Sequence, residues 1–128
     1  MRLLLDTHAL VWWLEGSPKL PYRTSWTIAD SDNVVMVSAA TAWEIATKFR
    51  LGRLPSMAPM IADIEGHVWA EGFQLLAVTV RRAQRAGGLP GPRKDPFDRM
   101  LIAQALEEGC TMISNEAVFD RYGVPRSW

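Results

Sequence analysis

The sequence predicts an α/β domain built on a mostly parallel sheet with helices on both faces. Short apolar runs suited to buried strands recur at residues 2–5, 34–37, 75–80 and 111–113. Segments able to form helices separate them, and acidic or hydroxyl residues stand directly after several of the runs. Strands alternating with helices lead to a parallel sheet, because each return to the same edge needs a crossover.

Arg2 to Leu5 reads as the first strand, and His8 to Leu14 is apolar enough to be the helix after it. Val34 to Val37 (VVMV) is the second strand. Ser38 is placed to cap a helix running toward Leu51, which Gly52 terminates. Pro59 to Gly72 holds a further helix, and Leu75 to Val80 (LLAVTV) forms the third strand. A helix then runs from Arg81 to the glycines at 87 and 88, and the Gly/Pro-rich stretch GGLPGPRK forms a loop inside one domain. Asp95-Pro96 opens the next helix, since aspartate caps free amides and proline is tolerated at the first helical position. That helix ends near Gly109; Thr111 to Ile113 is the fourth strand, and Val124 to Trp128 a last extended piece.

With 128 residues, 48% of them apolar, the chain is long enough for one domain with its own core, and the expected organisation is a single domain over residues 1–128. One cysteine, Cys110, forms no internal disulfide, and with only His8 and His67 it completes no Cys/His zinc site. Leu3 to Leu5 are too few for a signal peptide or a membrane span, so a cytoplasmic location and no membrane partner are expected. Lysine plus arginine (14) equals aspartate plus glutamate (14), so a polyanion would have to be bound locally rather than by a global field. The basic stretch from Arg81 to Arg99 is the best candidate, with Arg81, Arg82, Arg85 and Lys94 as phosphate contacts; a solvated helix face is the alternative.

In open parallel sheets ligands bind beyond the carboxyl ends of the strands. Asp6 and Thr7 follow LLL, Ser38 follows VVMV, and Ser114-Asn115-Glu116 follows TMI. Glu44 and Asp98 lie inside apolar helical segments, AATAWEIATKF and DPFDRMLIAQAL. Carboxylates among apolar residues are costly unless paired or bound to metal. A set of oxygen donors without cysteine or histidine suits Mg²⁺ or Mn²⁺, and the natural chemistry is phosphodiester hydrolysis. Structural alternatives stand beside these roles. Asp6 is also placed to cap the following helix, Glu44 to pair with Lys48 four residues on, and Glu116 to serve as a first-turn acid of a short helix through Phe119. Asp95 reads as the N-cap that positions Asp98.

The stretches LLLDTHALVWWLEG, VSAATAWEIATKFRLGRL, KDPFDRMLIAQALEEG and TMISNEAVFDRYGV, in this order, resemble the PIN-domain family and within it the VapC-type toxins of toxin-antitoxin pairs. The resemblance implies a three-layer α/β/α fold and a Mg²⁺- or Mn²⁺-dependent endoribonuclease acting on RNA. It further implies homodimerisation and inhibition by a cognate VapB-type antitoxin. It carries the family's acidic positions onto Asp6, Glu44, Asp98 and Glu116, with Asp95 accessory, and small hydroxyl positions onto Thr7, Ser38 and Ser114. At the last acidic position the family usually has aspartate; Glu116 keeps the carboxylate and lengthens its reach by a methylene. A degenerate PIN domain that binds RNA or a partner without cleaving it is the competing expectation. A haloacid-dehalogenase-type phosphatase is excluded by Asp6-Thr7-His8, which lacks the second aspartate of Asp-x-Asp. A receiver-like signalling domain would need an acidic pair after the first strand and an aspartate after the third, and neither is present. Six tryptophans are many for this length, and adjacent Trp12 and Trp13 are expected to face different sides, one toward the core and one toward a binding groove.

Overall fold

Leu3 and Leu5 on the first strand point into one apolar cluster and Leu4 into another, all three fully buried. A strand apolar on both faces belongs in the middle of a sheet covered on both sides. In the computed structural model, which describes residues 1–128, β1 (Arg2–Leu5) holds that position. With β2 (Val34–Ser38), β3 (Gln74–Leu76), β4 (Thr111–Ile113) and β5 (Arg126–Ser127) it forms a five-stranded sheet of order β3-β2-β1-β4-β5 in which every pairing is parallel.

One face of the sheet is covered by α1 (Thr7–Glu15), α2 (Tyr22–Ala29), α3 (Ala39–Arg50) and α4 (Ile64–Ala70), which supply Leu10, Ile28, Ile45 and Val68 to the first cluster. On the other face α6 (Pro96–Glu108) supplies Leu101 and Ile102, joined by Phe119 from the 3-10 segment Ala117–Tyr122. α5 (Val80–Gly88) packs along α6. The three-layer α/β/α expectation holds, and the sheet is wholly rather than mostly parallel.

The helix boundaries follow from their caps. Ser38 Oγ accepts from the Ala40 amide at 3.0 Å, and Asp95 Oδ1 accepts from the amides of Phe97 (2.9 Å) and Asp98 (3.1 Å). Gly16 and Gly109 close α1 and α6 in the left-handed region at φ 65° and 63°, where a glycine has no Cβ penalty.

Several expectations are corrected. The third strand stops at Leu76, not Val80, because the Thr79 hydroxyl accepts from the Arg82 amide at 3.2 Å and starts α5 at Val80. The segment 59–72 forms one 3-10 turn (Ile61–Asp63) and a short α4, not one continuous helix; Asp63, whose carboxylate accepts from the Gly66 amide, marks the restart. The sequence reading overlooked α2, since in YRTSWTIA only Thr24 and Ile28, one helical turn apart, are buried. Trp12 and Trp13 do not divide between core and groove. Both are half-buried at the rim of the first cluster, and both line one cleft with Pro18 and Tyr22. Each ring finds its own partner: Trp12 stacks on His8 and leans on Trp128, while Trp13 packs on Phe73 and donates from Nε1 to Glu71 at 3.1 Å.

Asp95 satisfies two amides at the head of α6, so Asp95→Ala is expected to lower stability by about 1 kcal/mol in urea denaturation. An unchanged midpoint would place Asp95 outside this capping role.

Candidate active site

The site follows from strand register. Leu5 on β1 pairs with Ile113 on β4, and the Asp6 amide donates to the Ile113 carbonyl at 3.1 Å. The residue after each strand is therefore brought beside its counterpart, Asp6 next to Ser114. β1 has β2 on one side and β4 on the other, so the strand order reverses here, and the crevice at such a reversal is where open α/β sheets bind ligands.

Asp6 is buried at 4% exposure and caps α1, its Oδ1 accepting from the Ala9 amide at 2.8 Å. The cap and the position at the strand end therefore coexist in one residue. Burial raises the Asp6 pKa above the ordinary carboxylate value; the Ser114 hydroxyl, the Ala9 amide and His8 oppose the shift, and the negative charge of Glu116 adds to it. Ser114 Oγ also accepts from the Glu116 amide at 3.0 Å, which holds the turn carrying Glu116. Asp98 sits in the first turn of α6, and its pKa is raised to about 6, first by burial and further by the charges of Asp95 and Glu116, against the opposing pull of Arg93. Asp6, Glu116 and Asp98 thus form one chain of mutually felt negative charge.

Two groups answer that charge. Arg93 Nε donates to Asp98 Oδ2 at 2.8 Å, and Arg93 Nη2 reaches both Asp98 Oδ2 and, at 3.2 Å, Glu116 Oε2. His8 Nδ1 stands 3.6 Å from Glu116 Oε1. The sequence reading assigned neither residue to the site. Arg93 lies in the Gly/Pro-rich loop, where no periodicity marks it; the sequence shows it only as one member of the basic stretch from Arg81 to Arg99, five residues before an acid on an apolar helix.

Glu44 is differently engaged. It is buried at 5% exposure, accepts from the Thr7 hydroxyl, and is ion-paired with Lys48 four residues on. The anticipated i,i+4 pair is therefore present, but on a buried carboxylate and not an exposed face. Thr7 ties Glu44 to the turn that carries Asp6, whereas Lys48 already balances its charge. Among the expected phosphate contacts, Arg81 and Lys94 are exposed, and Arg85 stands 3.8 Å from Glu107. Arg82 is a correction: it is committed to Glu107, Glu108 and the Ala77 carbonyl, and ties α5 to α6.

As the side chains stand, no three acidic, histidine or cysteine groups are close enough together to ligate one metal ion. The donor chemistry nevertheless fits a hard divalent cation. The groups at the crevice are carboxylates, two have pKa values raised first by burial, and a guanidinium lies between Asp98 and Glu116.

Residues 3–125 match the PIN domain family model. The chain is 27% identical to Ribonuclease VapC22 of Mycobacterium tuberculosis over 97% of its own length and 94% of that protein's. It is 35% identical to Ribonuclease VapC16 of the same organism over 49% of its length and 46% of that protein's. Among solved structures it is similar to FitAcB from Neisseria gonorrhoeae, with a TM-score of 0.66, 17% identity and coverage of 97% of this chain and 95% of that one. It is also similar to VapBC2 from Rickettsia felis bound to a promoter DNA fragment, with a TM-score of 0.62, 16% identity and coverage of 99% and 98%. A family match over nearly the whole chain, on a parallel sheet whose central strands deliver Asp6 and Glu116 to one crevice, makes this protein a member of the PIN-domain family.

Proposed function

We propose that the chain is a metal-dependent endoribonuclease, with Asp6, Asp98 and Glu116 as the groups that hold Mg²⁺ or Mn²⁺. The observation that carries this reading is the pairing of Asp98 and Glu116 across the guanidinium of Arg93, at the crevice where Asp6 stands beside Ser114 and feels the charge of Glu116. Bound there, the ion supplies Lewis acidity and an activated water for hydrolysis of an RNA phosphodiester bond. Asp6 is fixed by its cap to α1, Asp98 by the amides that Asp95 organises, and Glu116 by the Ser114 turn, so all three are oriented before substrate arrives. Glu44 and Thr7 act through the Asp6 turn as positioning residues, and Ser38 does the same for the start of α3.

The ribonuclease names of its relatives and the VapBC and FitAB complexes among its structural neighbours support RNA as substrate and a VapB-type antitoxin as inhibitor; the homodimer is carried over from the family resemblance as the working unit. No helix is long and apolar enough to cross a membrane.

Purified protein is expected to cleave RNA with Mg²⁺ or Mn²⁺, and Asp6→Ala or Asp98→Ala to abolish cleavage while circular dichroism shows the fold retained. Undiminished cleavage by both variants in EDTA would contradict the metallonuclease and favour neither carboxylate role. If instead the wild type binds RNA but never cleaves it with either ion, the degenerate PIN reading replaces this one.

The raised Asp98 pKa has a consequence for the metal-free protein. Between the ordinary value of 3.8 and about 6 the folded state binds more protons at Asp98 than the unfolded state, so this contribution to stability is present at low pH and lost as pH rises through about 6. Melting curves of wild type and Asp98→Asn across that window should diverge in this sense, and parallel curves would refute it.

Replacing Arg81, Arg85 and Lys94 together with alanine should lower the salt slope of single-stranded RNA binding by roughly 2, at about 0.7 per phosphate contact. An unchanged slope would show that the RNA path lies elsewhere.

A further inference from the structure

Arg93 is the one cation seated between Asp98 and Glu116, and its setting distinguishes it from an ordinary surface ion pair. Its guanidinium touches both carboxylates, yet its side chain remains 35% exposed on the solvent side. The backbone beneath it is pinned on both sides. The Arg93 amide donates to the Tyr122 hydroxyl at 3.1 Å, and its carbonyl accepts from Arg99 Nη1 at 2.8 Å. Gly91, at φ 105°, lets the loop lie against the Tyr122 ring, where an added Cβ would come within 2.7 Å of the hydroxyl oxygen. The loop backbone is thereby held at both peptide groups, whereas the Arg93 side chain is held only through its guanidinium and is partly exposed.

We propose that Arg93 is a displaceable counter-ion: it neutralises Asp98 and Glu116 in the metal-free protein, yields them to a divalent ion, and then contacts an RNA phosphate with the freed guanidinium. The inference rests on the metallonuclease reading of the same site. Arg93 Nε and Nη2 both engage Asp98 Oδ2 and Nη2 also engages Glu116 Oε2, so a divalent ion that ligates these oxygens competes with the guanidinium. Once released, the planar fork is anchored a few ångströms from the carboxylates and is suited to a phosphate, for which its bidentate geometry is as apt as for a carboxylate.

The test is calorimetric titration of Mn²⁺ into wild type, Arg93→Ala and Arg93→Gln, the glutamine retaining length and hydrogen-bonding groups without the charge. Both variants are expected to bind Mn²⁺ roughly tenfold more tightly, the factor expected when one charge-assisted competitor is removed. Steady-state cleavage of a short single-stranded RNA at saturating Mn²⁺ should show KM raised by a similar factor, with kcat changed much less. Tighter metal and weaker substrate together are the signature, because a merely structural arginine would weaken both. Unchanged or weaker Mn²⁺ binding by folded variants overturns the proposal and leaves the metallonuclease intact; an unchanged KM overturns the phosphate contact. Failure of every form, wild type included, to bind Mn²⁺ overturns both readings.

Discussion

The parallel pairing of β1 with β4 is the constraint on which the site depends. Because Leu5 lies opposite Ile113, the chain leaves both strands at the same level, and Asp6, Ser114 and Glu116 emerge into one crevice. A slip of one residue would turn Leu3 and Leu5 into the cluster that Leu4 fills, and would withdraw Asp6 from Ser114. The hydrophobic pattern of three consecutive leucines therefore fixes the chemistry indirectly. Packing on both faces of β1 decides where the carboxylates stand.

The carboxylates in turn oppose the fold they depend on. Asp6 and Asp98 are removed from water and face other negative charge, which raises their pKa values and makes the metal-free protein less stable where they ionise. Hydrogen bonds and one cation offset part of that penalty: the Ala9 amide and the Ser114 hydroxyl on Asp6, and the Arg93 guanidinium across Asp98 and Glu116. Carboxylates with pKa values shifted by burial and like charge are characteristic of functional sites. Glu44 shows the contrast, for it is equally buried but has Lys48 and Thr7 as permanent partners.

Much of this was legible in the sequence, for identifiable reasons. Unbroken apolar runs such as LLL and VVMV mark strands buried on both faces, and Ser38, Asp95 and Gly109 mark helix ends through local hydrogen bonding. Acidic residues at strand ends or on apolar helices stand out against their neighbours, which is why Asp6, Asp98 and Glu116 could be singled out. What the sequence concealed depends on tertiary contact. α2 buries too few side chains to show a period, the end of β3 is decided by a single threonine cap, and Arg82 looks like any surface arginine until Glu107 and Glu108 are brought beside it. Arg93 belongs to the same class, since only the folded loop shows that its charge lies between Asp98 and Glu116.

The central claim is that the β1–β4 register assembles a carboxylate set for one divalent-ion site. Anomalous diffraction from crystals soaked in Mn²⁺ tests it most directly. The account predicts a manganese peak ligated by Asp6, Asp98 and Glu116; a peak that avoids all three, in crystals saturated with the ion, would contradict it.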